Sequence, residues 1–491
     1  MKVDGSTLIG WGFKPGKWFK DAIATADAMA RDTHFGKANH TEADMIAAVK
    51  KLEPTPIQIM APQLPQNVQM HYNIDAENEY DEANIAKVKE AVTEIARIPV
   101  VRSISVMPDA CPTGPFSVPV GTVVVAENAI VPGWHSADIC CSVAMTVFPS
   151  DTNPTAVLDA GMKITHFGKG GRTFSHDMQV SDDLLQAFES NSYLTNKQDM
   201  VRKHFGTQGD GNHFFYVGRI ESTGQIALVT HHGSRGPGAR LYNAGVDKAQ
   251  YMVGEQVAWA NKANMWIPYD TVEGQAYWEA LQIVRWWTKK NHYTIHDSIA
   301  HQLNLKVKDR FWNEHNFVFR REYGGKTYFV HAKGATPSYM GFAPDSMGRI
   351  LIPLNMAAPI VVGKVNDNVD HGMDGHHSLG FAPHGAGRNY SRTEFGRLIT
   401  GKAKEMIADV TSKIDVRAFS GKHDISEFPA AYKNAEQIQN QIKKYGLTDV
   451  VDLIQPLGCI MAGHDSTDYR AIKKAKKEAK KALDLANEEN E

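Results

Sequence analysis

Residues 381–392 read Phe381-Ala-Pro-His384-Gly-Ala-Gly-Arg388-Asn-Tyr-Ser-Arg392. A single histidine stands among small residues and is followed by two arginines. Small residues allow a phosphate and a second backbone segment to come close to the His384 imidazole. Arginine binds phosphate oxygens through two parallel hydrogen bonds. The stretch therefore predicts a histidine that attacks phosphorus and carries a nucleotidyl group.

The composition is that of a globular protein. The chain has 491 residues, of which 42% are hydrophobic and 22% are charged, and its formal net charge is −2. This balance excludes a protein that is basic throughout, so a surface for nucleic acid would have to be local. The length alone suggests about three domains. Because no linker is recognisable, we expect one large catalytic domain over residues 1–463, followed by a Lys-rich helical tail over 464–491.

The four cysteines are Cys111, Cys140, Cys141 and Cys459. No secretory signal opens the sequence, and no apolar run approaches the ~20 residues of a membrane span. We therefore expect reduced thiols, a cytoplasmic location and no membrane association. The adjacent pair at 140–141 is better suited to binding a metal than to forming a mutual disulfide.

The sequence patterns mix helices and strands without strict alternation, which favours an α+β fold with a single large mixed α/β catalytic domain. Helical patterns predict one helix that begins near Pro15 and further helices over 79–97, near 392–413 and over 433–445. A longer helical region, about 247–306, predicts a helical lobe. Runs rich in β-branched residues predict strands at 100–106, 118–125, 143–148, 214–217, 226–230, 317–319, 327–331 and 350–353.

Two motifs combine metal-binding side chains with turns. Asp138-Ile-Cys140-Cys141 follows an apolar strand, and its carboxylate and thiolate can reach one metal, or the thiolate can bridge two. Gly206-Thr-Gln-Gly-Asp-Gly-Asn212-His213 offers close backbone approach and a ligand nitrogen. The alternatives are a buried cysteine pair with a capping aspartate, and a glycine turn with a hydrogen-bonded histidine.

Two further motifs place histidines beside cations. Thr230-His231-His232-Gly-Ser-Arg235 ends a strand, and because adjacent side chains of a strand point to opposite faces, only one of its histidines should face the site. Glu314-His315-Asn316 precedes a strand that leads to Lys333, which can hold a phosphate as a point charge. The alternatives are a polar loop and an ordinary hairpin.

Together these motifs, in this order, resemble the RtcB family of RNA-splicing ligases. The similarity runs from Met107-Pro-Asp109-Ala to about Arg392, and it also includes the N-terminal Pro-Gly-Lys-Trp-Phe and Gln455-Pro-Leu near the C-terminus. Five separate motifs in family order make chance an unsatisfactory explanation.

The resemblance implies a centre of two Mn²⁺ ions beside a guanylated histidine. By motif position, Asp138 and His213 hold one ion, His231 and His315 hold the other, and Cys141 bridges them. The resemblance also chooses His231 over His232. The histidine that carries GMP is His384.

Nucleotide and RNA contacts are implied in the same way. The positions expected to bind GTP are Asn212, His213, Phe214, Phe215, Tyr216, His315, Asn316, Pro344, Asp345, Ser346, Met347, His384, Gly385, Ala386 and Gly387. The residues expected to grip RNA phosphates are Arg235, Lys333, Arg388 and Arg392.

The implied reaction joins a 2′,3′-cyclic phosphate or 3′-phosphate RNA end to a 5′-hydroxyl end, in RNA repair or tRNA splicing. The implied partners are RNAs with broken ends, such as tRNA or rRNA, and an activator of the archease type. GTP supplies the nucleotidyl group through a His–GMP intermediate.

The sequence departs from the family at several positions. Cys140 stands where members usually have glycine, and Asp345 stands in a loop that is usually Pro-Gly-Ser-Met-Gly. Leu351 replaces a serine, and Ala462 replaces a lysine that contacts the nucleotide. An added carboxylate near a triphosphate predicts weaker nucleotide binding unless Asp345 faces away.

Three other functions fit parts of these patterns. A nucleotidyl transferase could cap 3′-phosphorylated RNA or DNA ends without sealing them. A metal-dependent phosphoesterase would use the metal centre alone, and its activity would survive His384→Ala. A non-catalytic RNA-binding or scaffold protein would have to keep buried ligand side chains without a metal, which is costly.

Overall fold

The computed structural model describes residues 2–34, 37–53, 58–114, 116–168, 170–172, 178–342, 345, 347–364 and 376–464. Contacts between Cα atoms divide the chain into two compact units, Met1–Ile59 and Met60–Glu491. The sequence patterns contain no sign of a boundary at Ile59. The single domain expected over 1–463 stays a prediction, and most of the Lys-rich tail lies outside the described residues.

The first unit is a small helical bundle with its own core. Its helices are Gly5–Gly10, Phe19–Arg31 and Glu42–Leu52, and a short pair of strands joins Thr33–His34 to Lys37–Ala38. Leu8, Phe19 and Val49 are buried together in this core. The helix predicted near Pro15 begins later, at Phe19, because the Pro-Gly pair at 15–16 belongs to the preceding turn.

The second unit contains a large, mainly antiparallel sheet, called here the central sheet. Among the described residues, eight strands belong to it. In spatial order they are Asp309–Glu314, Ser142–Phe148, Ile226–His232, Phe214–Ile220, Asp449–Met461, Ile360–Lys364 and Arg349–Pro353, with Asp415–Ala418 pairing parallel to Asp449–Met461. Every residue of the strands Ser142–Phe148 and Ile226–His232 is buried, as expected for strands in the interior of a sheet.

A second sheet carries the segments around Asp109 and Lys333. Five described strands form it, in the order Asn316–Tyr323, Lys326–Lys333, Val120–Glu127, Val101–Cys111 and Gln69–Tyr72. The turn after Lys333 leads into Ala335–Pro337, which pairs with Phe381–Pro383. This short pairing brings His384 next to the end of the second sheet.

The helices of the second unit cover the two sheets. They are Glu79–Ala96, Pro154–Ile164, Asp182–Ser190, Gln198–His204, Arg235–Val253, Val272–Gln302, Arg392–Leu398, Ala403–Thr411 and Ala435–Lys444. Glu79–Ala96 shows why these segments are helical. Asn78 caps its first turn, and Ile85, Val88 and Val92 recur at helical spacing on its buried face.

The long helix Val272–Gln302 is fastened to the central sheet by buried polar groups. The hydroxyl of Thr230 lies 2.7 Å from Nδ1 of His292 and 2.8 Å from Nε2 of His296, and Ser142 Oγ lies 3.0 Å from Nε2 of His292. Because these groups are fully buried, their hydrogen bonds fix the helix against two particular strands. One of these strands contains the candidate metal ligand His231, and the other begins directly after Cys141.

The α+β class predicted from the sequence is confirmed. The helical region expected at about 247–306 is instead two helices, Arg235–Val253 and Val272–Gln302, separated by an irregular segment. Among the described residues, no helix combines the length and the apolar character that crossing a bilayer requires.

Candidate active site and metal centre

Four neighbouring strands of the central sheet bring the candidate metal ligands to one edge. Cys141 directly precedes the strand Ser142–Phe148, and His213 directly precedes the strand Phe214–Ile220. His315 directly follows the edge strand Asp309–Glu314. His231 lies between them, paired with Val143 on one side and with Phe214 on the other. The register of the sheet therefore places four donor side chains from separate motifs together.

The donor atoms lie in two overlapping groups. In the first, Nε2 of His213 is 2.9 Å from Asp138 Oδ2 and 3.5 Å from Cys141 Sγ. In the second, Nε2 of His231 is 3.1 Å from the same sulfur and 3.2 Å from Nε2 of His315. Each group has three donors close enough to hold one ion, and Cys141 belongs to both. This arrangement matches the division of ligands that the resemblance implies.

Backbone carbonyl groups set the orientation of two of the imidazoles. Nδ1 of His213 lies 2.7 Å from the carbonyl of Gln208, and Nδ1 of His231 lies 3.1 Å from the carbonyl of Asn212. A carbonyl only accepts, so each Nδ1 carries the proton and each Nε2 of a neutral ring carries a lone pair. The lone pair of His213 then faces the carboxylate of Asp138, which is repulsive unless a proton or a cation lies between them.

Burial favours the uncharged forms of His231, His315 and Cys141. Burial lowers the pKa of His231 to about 3 and holds the pKa of His315 well below its usual value. Burial raises the pKa of the Cys141 thiol, and the nearby carboxylate of Asp138 raises it further. Burial would also raise the pKa of Asp138, but His213, Cys141 and Arg235 together lower that pKa below its usual range. A cation close to the sulfur would reverse the preference of the thiol and form the thiolate.

The donor set fits a divalent transition metal. Imidazole nitrogen, thiolate sulfur and carboxylate oxygen together suit ions such as Mn²⁺, Co²⁺ or Zn²⁺. Nδ1–H groups bonded to carbonyls are the usual outer support of metal-binding histidines. His232 does not join this set, because it turns away and stacks on His292 with ring centroids 3.4 Å apart.

The imidazole of His384 is held beside this centre by a buried carboxylate. Asp109 Oδ2 accepts from Nδ1 of His384 at 2.5 Å and from its backbone N–H at 3.2 Å. Asp109 is completely buried, and its other oxygen has no hydrogen-bond partner among the described groups. Nε2 of His384 is thus left with its lone pair, and the ring centroid lies 4.8 Å from that of His315.

Glycine is required where this segment crosses Asp109. Gly387 has φ of +72°, and a side-chain carbon there would collide with the backbone carbonyl of Asp109. Gly334, with φ of +66°, passes so close to Cε1 of His384 that an added carbon would lie 3.0 Å away. Gly387 and Gly334 therefore let the backbone near Asp109 and the turn after Lys333 approach the segment that carries His384.

His384 lines a cavity of about 370 Å³ together with four of the five candidate metal ligands, Asp138, Cys141, His231 and His315; His213 does not line it. The walls also include the apolar or aromatic side chains Phe214, Tyr216, Met356, Ile360, Cys459 and Met461. The ring of Phe214 lies close to that of His231, with centroids 5.2 Å apart. A cavity that combines polar groups with aromatic and aliphatic walls suits a nucleotide.

Three of the four cations expected to grip RNA phosphates line this cavity: Lys333, Arg388 and Arg392. Both arginines are positioned by Glu427, whose Oε1 lies 2.7 Å from Arg392 and whose Oε2 lies 3.3 Å from Arg388. Tyr432 also donates to this carboxylate. Arg388, Arg392 and Glu427 together therefore carry a net charge of about +1, whereas the two arginines alone would carry +2. The shared carboxylate already orients both guanidinium planes.

The fourth cation, Arg235, does not line the cavity. Its guanidinium donates to the carbonyl of Gly168 at 2.8 Å and approaches the hydroxyl of Thr207 at 3.3 Å. Gly209 separates it from His213, since a side chain on Gly209 would collide with both. Arg235 thus packs beside the candidate metal centre and does not line the cavity, and its contact with RNA phosphates stays a prediction.

Most of the positions expected to bind the nucleotide do line the cavity, and some do not. Those that line it are Asn212, Phe214, Tyr216, His315, Asn316, His384, Gly385, Ala386 and Gly387. Phe215 points the other way, because alternate residues of a strand face opposite sides, and it packs against Gly161. Met347 is exposed and lies outside the cavity. Pro344 and Ser346 lie outside the described residues.

Asp345 also differs from the expectation. Its carboxylate is bound by Arg285 and Lys289 and accepts a hydrogen bond of 3.0 Å from the indole of Trp312. Burial would raise its pKa, but these cations lower it below its usual range. The two cations neutralise its charge locally, and Asp345 borders a separate small cavity and does not line the cavity of His384.

Sequence reasoning missed two groups that this site needs. Asp109 lies in the quoted segment Met107-Pro-Asp109-Ala, and a carboxylate preceding a candidate nucleophile in family order could have been assigned to orient it. Glu427 lies in a short helix, Ile425–Glu427, and no local pattern distinguishes it from a surface acid. Its role becomes visible only when the fold brings it to Arg388 and Arg392.

Comparisons with known proteins agree with the geometry. The family model described as tRNA-splicing ligase RtcB matches residues 149–462, which is more than half of the chain. The tRNA-splicing ligase RtcB of Thermococcus kodakarensis is 23% identical over 459 residues, which cover 77% of this chain and 92% of the relative. The RNA-splicing ligase RtcB of Escherichia coli strain K12 is 24% identical over 412 residues, which cover 76% of this chain and 94% of the relative.

The shared position of Cys141 generates a prediction about metal binding. In Cys141→Ala, both groups lose a ligand at once, so we expect stoichiometry to fall from two Mn²⁺ per chain to less than one, measured by equilibrium dialysis. Cys459→Ala is the matched control, because Cys459 is also buried and lines the same cavity but touches neither group of donors. Retention of two ions by Cys141→Ala would refute the bridging assignment.

Proposed function

The chain belongs to the RtcB family of tRNA-splicing ligases, and from this premise we propose that it is a GTP-dependent RNA ligase. It would join a 3′-phosphate or 2′,3′-cyclic phosphate end to a 5′-hydroxyl end. The observation that carries the proposal is the shared cavity, which is lined by His384, by members of both groups of candidate metal-binding donors and by three cations.

The first step would be the attack of His384 on GTP. Nε2 forms a bond to the α-phosphorus while the bond from that phosphorus to the bridging oxygen breaks, and pyrophosphate leaves. Asp109 keeps the proton on Nδ1, so the nucleophilic lone pair stays on Nε2 and the carboxylate stabilises the positive charge that develops on the ring. The product is a His–GMP phosphoramidate.

Two transfers would follow. An oxygen of the RNA 3′-phosphate attacks the phosphorus of His–GMP, the N–P bond breaks, and Nε2 recovers its lone pair. The RNA 5′-hydroxyl then attacks the activated 3′-phosphate, loses its proton, and releases GMP. A 2′,3′-cyclic phosphate would first be opened to the 3′-phosphate by water. Splitting a difficult joining reaction into covalent steps is the usual benefit of a nucleophilic residue.

Asp138, Cys141 and His213 would hold one Mn²⁺ ion, and His231 and His315 would hold a second with the same sulfur. Divalent ions bound there would neutralise phosphate charge and orient the reacting oxygens. The backbone carbonyls of Gln208 and Asn212 fix the ring orientation of His213 and His231.

Lys333, Arg388 and Arg392 would hold the RNA phosphates. The carboxylate of Glu427 orients the two guanidinium groups, so little side-chain entropy is lost when a phosphate binds. Contacts of this kind fix the position of the RNA backbone without reading its sequence. A recognition of broken ends in different RNAs, including tRNA and rRNA, is consistent with such contacts.

The aromatic and aliphatic walls of the cavity would receive the base of the nucleotide. Phe214 and Tyr216 belong to these walls, and the hydroxyl of Tyr216 donates to the carbonyl of Ile454 at 2.8 Å, which fixes its ring. Base stacking on aromatic side chains is worth about 1–3 kcal/mol per base. An archease-type activator stays a prediction from the resemblance.

Covalent labelling tests the proposal. With α-³²P-labelled GTP and Mn²⁺, wild-type protein should acquire an acid-labile label, because phosphoramidates hydrolyse in acid, and His384→Ala should acquire none. Labelled ATP in a parallel reaction reports whether the cavity selects guanine. Addition of 3′-phosphate and 5′-hydroxyl RNA should then discharge the label and yield sealed RNA.

His377→Ala is the matched control for this experiment, because His377 is close in sequence but lies outside the cavity, bound to Asn73. Protein that is folded and loaded with Mn²⁺ but takes no label from either nucleotide would disprove the nucleotidyl-histidine. Sealing that persists in His384→Ala would disprove it equally.

A second prediction concerns Asp109 as a positioning residue. Asp109→Asn removes the charge that holds the Nδ1 proton of His384, and loss of such an outer partner typically costs about 10- to 100-fold. We expect the rate of GTP labelling to fall by this factor in the variant, while the KM for GTP and the number of Mn²⁺ ions bound per chain stay unchanged. A labelling rate equal to that of the wild type would contradict the role, and a parallel loss of Mn²⁺ would indicate general damage.

A third prediction follows from Lys333, whose pKa burial lowers to about 8. Below that pH the amine is protonated and attracts phosphate, and above it the charge is lost. The affinity of the wild-type protein for 3′-phosphorylated RNA, measured by fluorescence anisotropy without GTP, should therefore fall as the pH rises through 8. Lys333→Arg stays charged and should bind RNA equally on both sides of this pH; the same fall in both proteins would contradict the assignment.

A further inference from the structure

A buried lysine, Lys433, lies beside the segment that carries Asp109. Only 8% of Lys433 is exposed, and its Nζ donates to the carbonyl of Pro108 at 2.9 Å and to that of Ala110 at 3.0 Å. These two acceptors flank Asp109 in the chain. Lys433 is neither a candidate metal ligand nor part of the wall of the cavity of His384.

The strand that carries Asp109 is irregular around this residue. Its pairing with Gln69–Tyr72 ends at Val106, and its pairing with Val120–Glu127 shifts register beyond the same residue. Buried carbonyls need another donor where a sheet ladder is interrupted. The ammonium group of Lys433 supplies that donor, so the lysine fixes the backbone on both sides of Asp109.

The backbone of Lys433 is bound to the segment that carries His384. Its N–H donates to the carbonyl of Gly387 at 3.0 Å, and Gly387 is the residue that crosses the backbone of Asp109. Lys433 therefore contacts both segments, one through its backbone and the other through its side chain. This double contact fixes the separation between Asp109 and His384.

The charge of Lys433 complements a buried carboxylate. Asp109 is completely buried, and one of its oxygens has no hydrogen-bond partner among the described groups, so its negative charge needs a cation nearby. Burial lowers the pKa of Lys433, and interactions with Cys111, Asp109 and Asp81 oppose that fall. The ammonium and the carboxylate of Asp109 thus favour each other's charged forms.

We propose that Lys433 is a positioning residue for nucleotidyl transfer: its ammonium group keeps the Asp109 carboxylate ionised and in place, so that His384 holds its proton on Nδ1 and its lone pair on Nε2. The inference rests on the proposed function for the reaction that uses this lone pair. Without the ammonium group, a buried carboxylate favours its neutral form, which binds the Nδ1 proton less strongly. Lys433 thus acts on His384 through Asp109.

The first test is the rate of covalent labelling by GTP in Lys433→Gln, whose side chain is neutral but still donates to a carbonyl. We expect this rate to fall about tenfold, as for the loss of other outer partners, while the KM for GTP stays unchanged. Lys433→Arg keeps the charge and should restore most of the rate. Lys444→Gln is the matched control, because Lys444 is exposed and binds Asp75 at 2.6 Å, and it should label like the wild type.

A double variant tests whether Lys433 acts through Asp109. Asp109→Asn combined with Lys433→Gln should label no more slowly than Asp109→Asn alone, because the carboxylate on which the ammonium acts is already gone. Losses that multiply in the double variant would overturn the proposal. A wild-type rate in Lys433→Gln, or a Lys433→Arg variant as slow as Lys433→Gln, would overturn it equally.

Thermal unfolding keeps the test decisive if Lys433→Gln alone folds poorly. That variant leaves a buried carboxylate without its cation, whereas the double variant leaves neither charge. The double variant should therefore melt at a higher temperature than Lys433→Gln. A double variant that is destabilised by the sum of the two single changes would contradict the coupling of Lys433 to Asp109.

A measurement without GTP separates this inference from the ligase itself. Diethyl pyrocarbonate transfers an ethoxycarbonyl group to a free imidazole nitrogen, and its reaction at His384 can be followed by peptide mass spectrometry. Modification that slows in Lys433→Gln, and no further in the double variant, would support the role of Lys433 even in a protein that takes no GTP label and so is not the proposed ligase. GTP labelling that requires His384, with labelling and modification both unchanged in Lys433→Gln, would support the ligase and reject the role of Lys433.

Discussion

Two imidazoles are forced to present unprotonated nitrogens to buried acceptors, and the arrangement of the site depends on this constraint. The carbonyls of Gln208 and Asn212 accept hydrogen bonds from Nδ1–H of His213 and His231, so Nε2 of His213 faces Asp138 and Cys141, and Nε2 of His231 faces Cys141 and His315. The repulsion is tolerable only because the strand register leaves these side chains no other direction. A register shift of one residue would turn His231 into the core and bring His232 to the site.

The site requires one particular strand register, which gives a role to the buried polar groups that hydrogen-bond the helix Val272–Gln302 to the sheet. Apolar packing alone tolerates small sliding movements, whereas hydrogen bonds from His292 and His296 to Thr230 have one correct alignment. Thr230 is the residue before His231, so the alignment of the helix is transmitted directly to a metal ligand. The anchoring lies on the face of the sheet opposite to the donors, where it does not compete with them for space.

Local patterns in the sequence pointed to Cys141, His213, His231 and His315 as candidate donors, but each motif left an ordinary structural alternative open, and only the resemblance to the RtcB family chose His231 over His232. The patterns also located eight strands and several helices whose apolar spacing is regular, but not the helices Glu42–Leu52, Pro154–Ile164, Asp182–Ser190 and Gln198–His204 or the strand Asp309–Glu314. They could not reveal the pair between Asp109 and His384, whose members are far apart in the chain and meet only through the pairing of Ala335–Pro337 with Phe381–Pro383. The strands Ile360–Lys364 and Asp449–Met461 were missed for a similar reason, since the second carries exposed and half-buried residues along much of its length.

The departures from the family pattern have physical consequences that a sequence comparison misjudges. Asp345 adds a charge, but Arg285, Lys289 and Trp312 bind it outside the cavity of His384, and the two cations neutralise it there. Cys140 has φ of +57°, a conformation that costs a residue with a side chain about 1–2 kcal/mol and that explains why glycine is usual there. Its side chain is fully buried in the apolar core, which offsets part of that cost. Both substitutions therefore alter the surroundings of the centre and leave its donors in place, so divergence in this chain has been absorbed outside the atoms that would perform the chemistry.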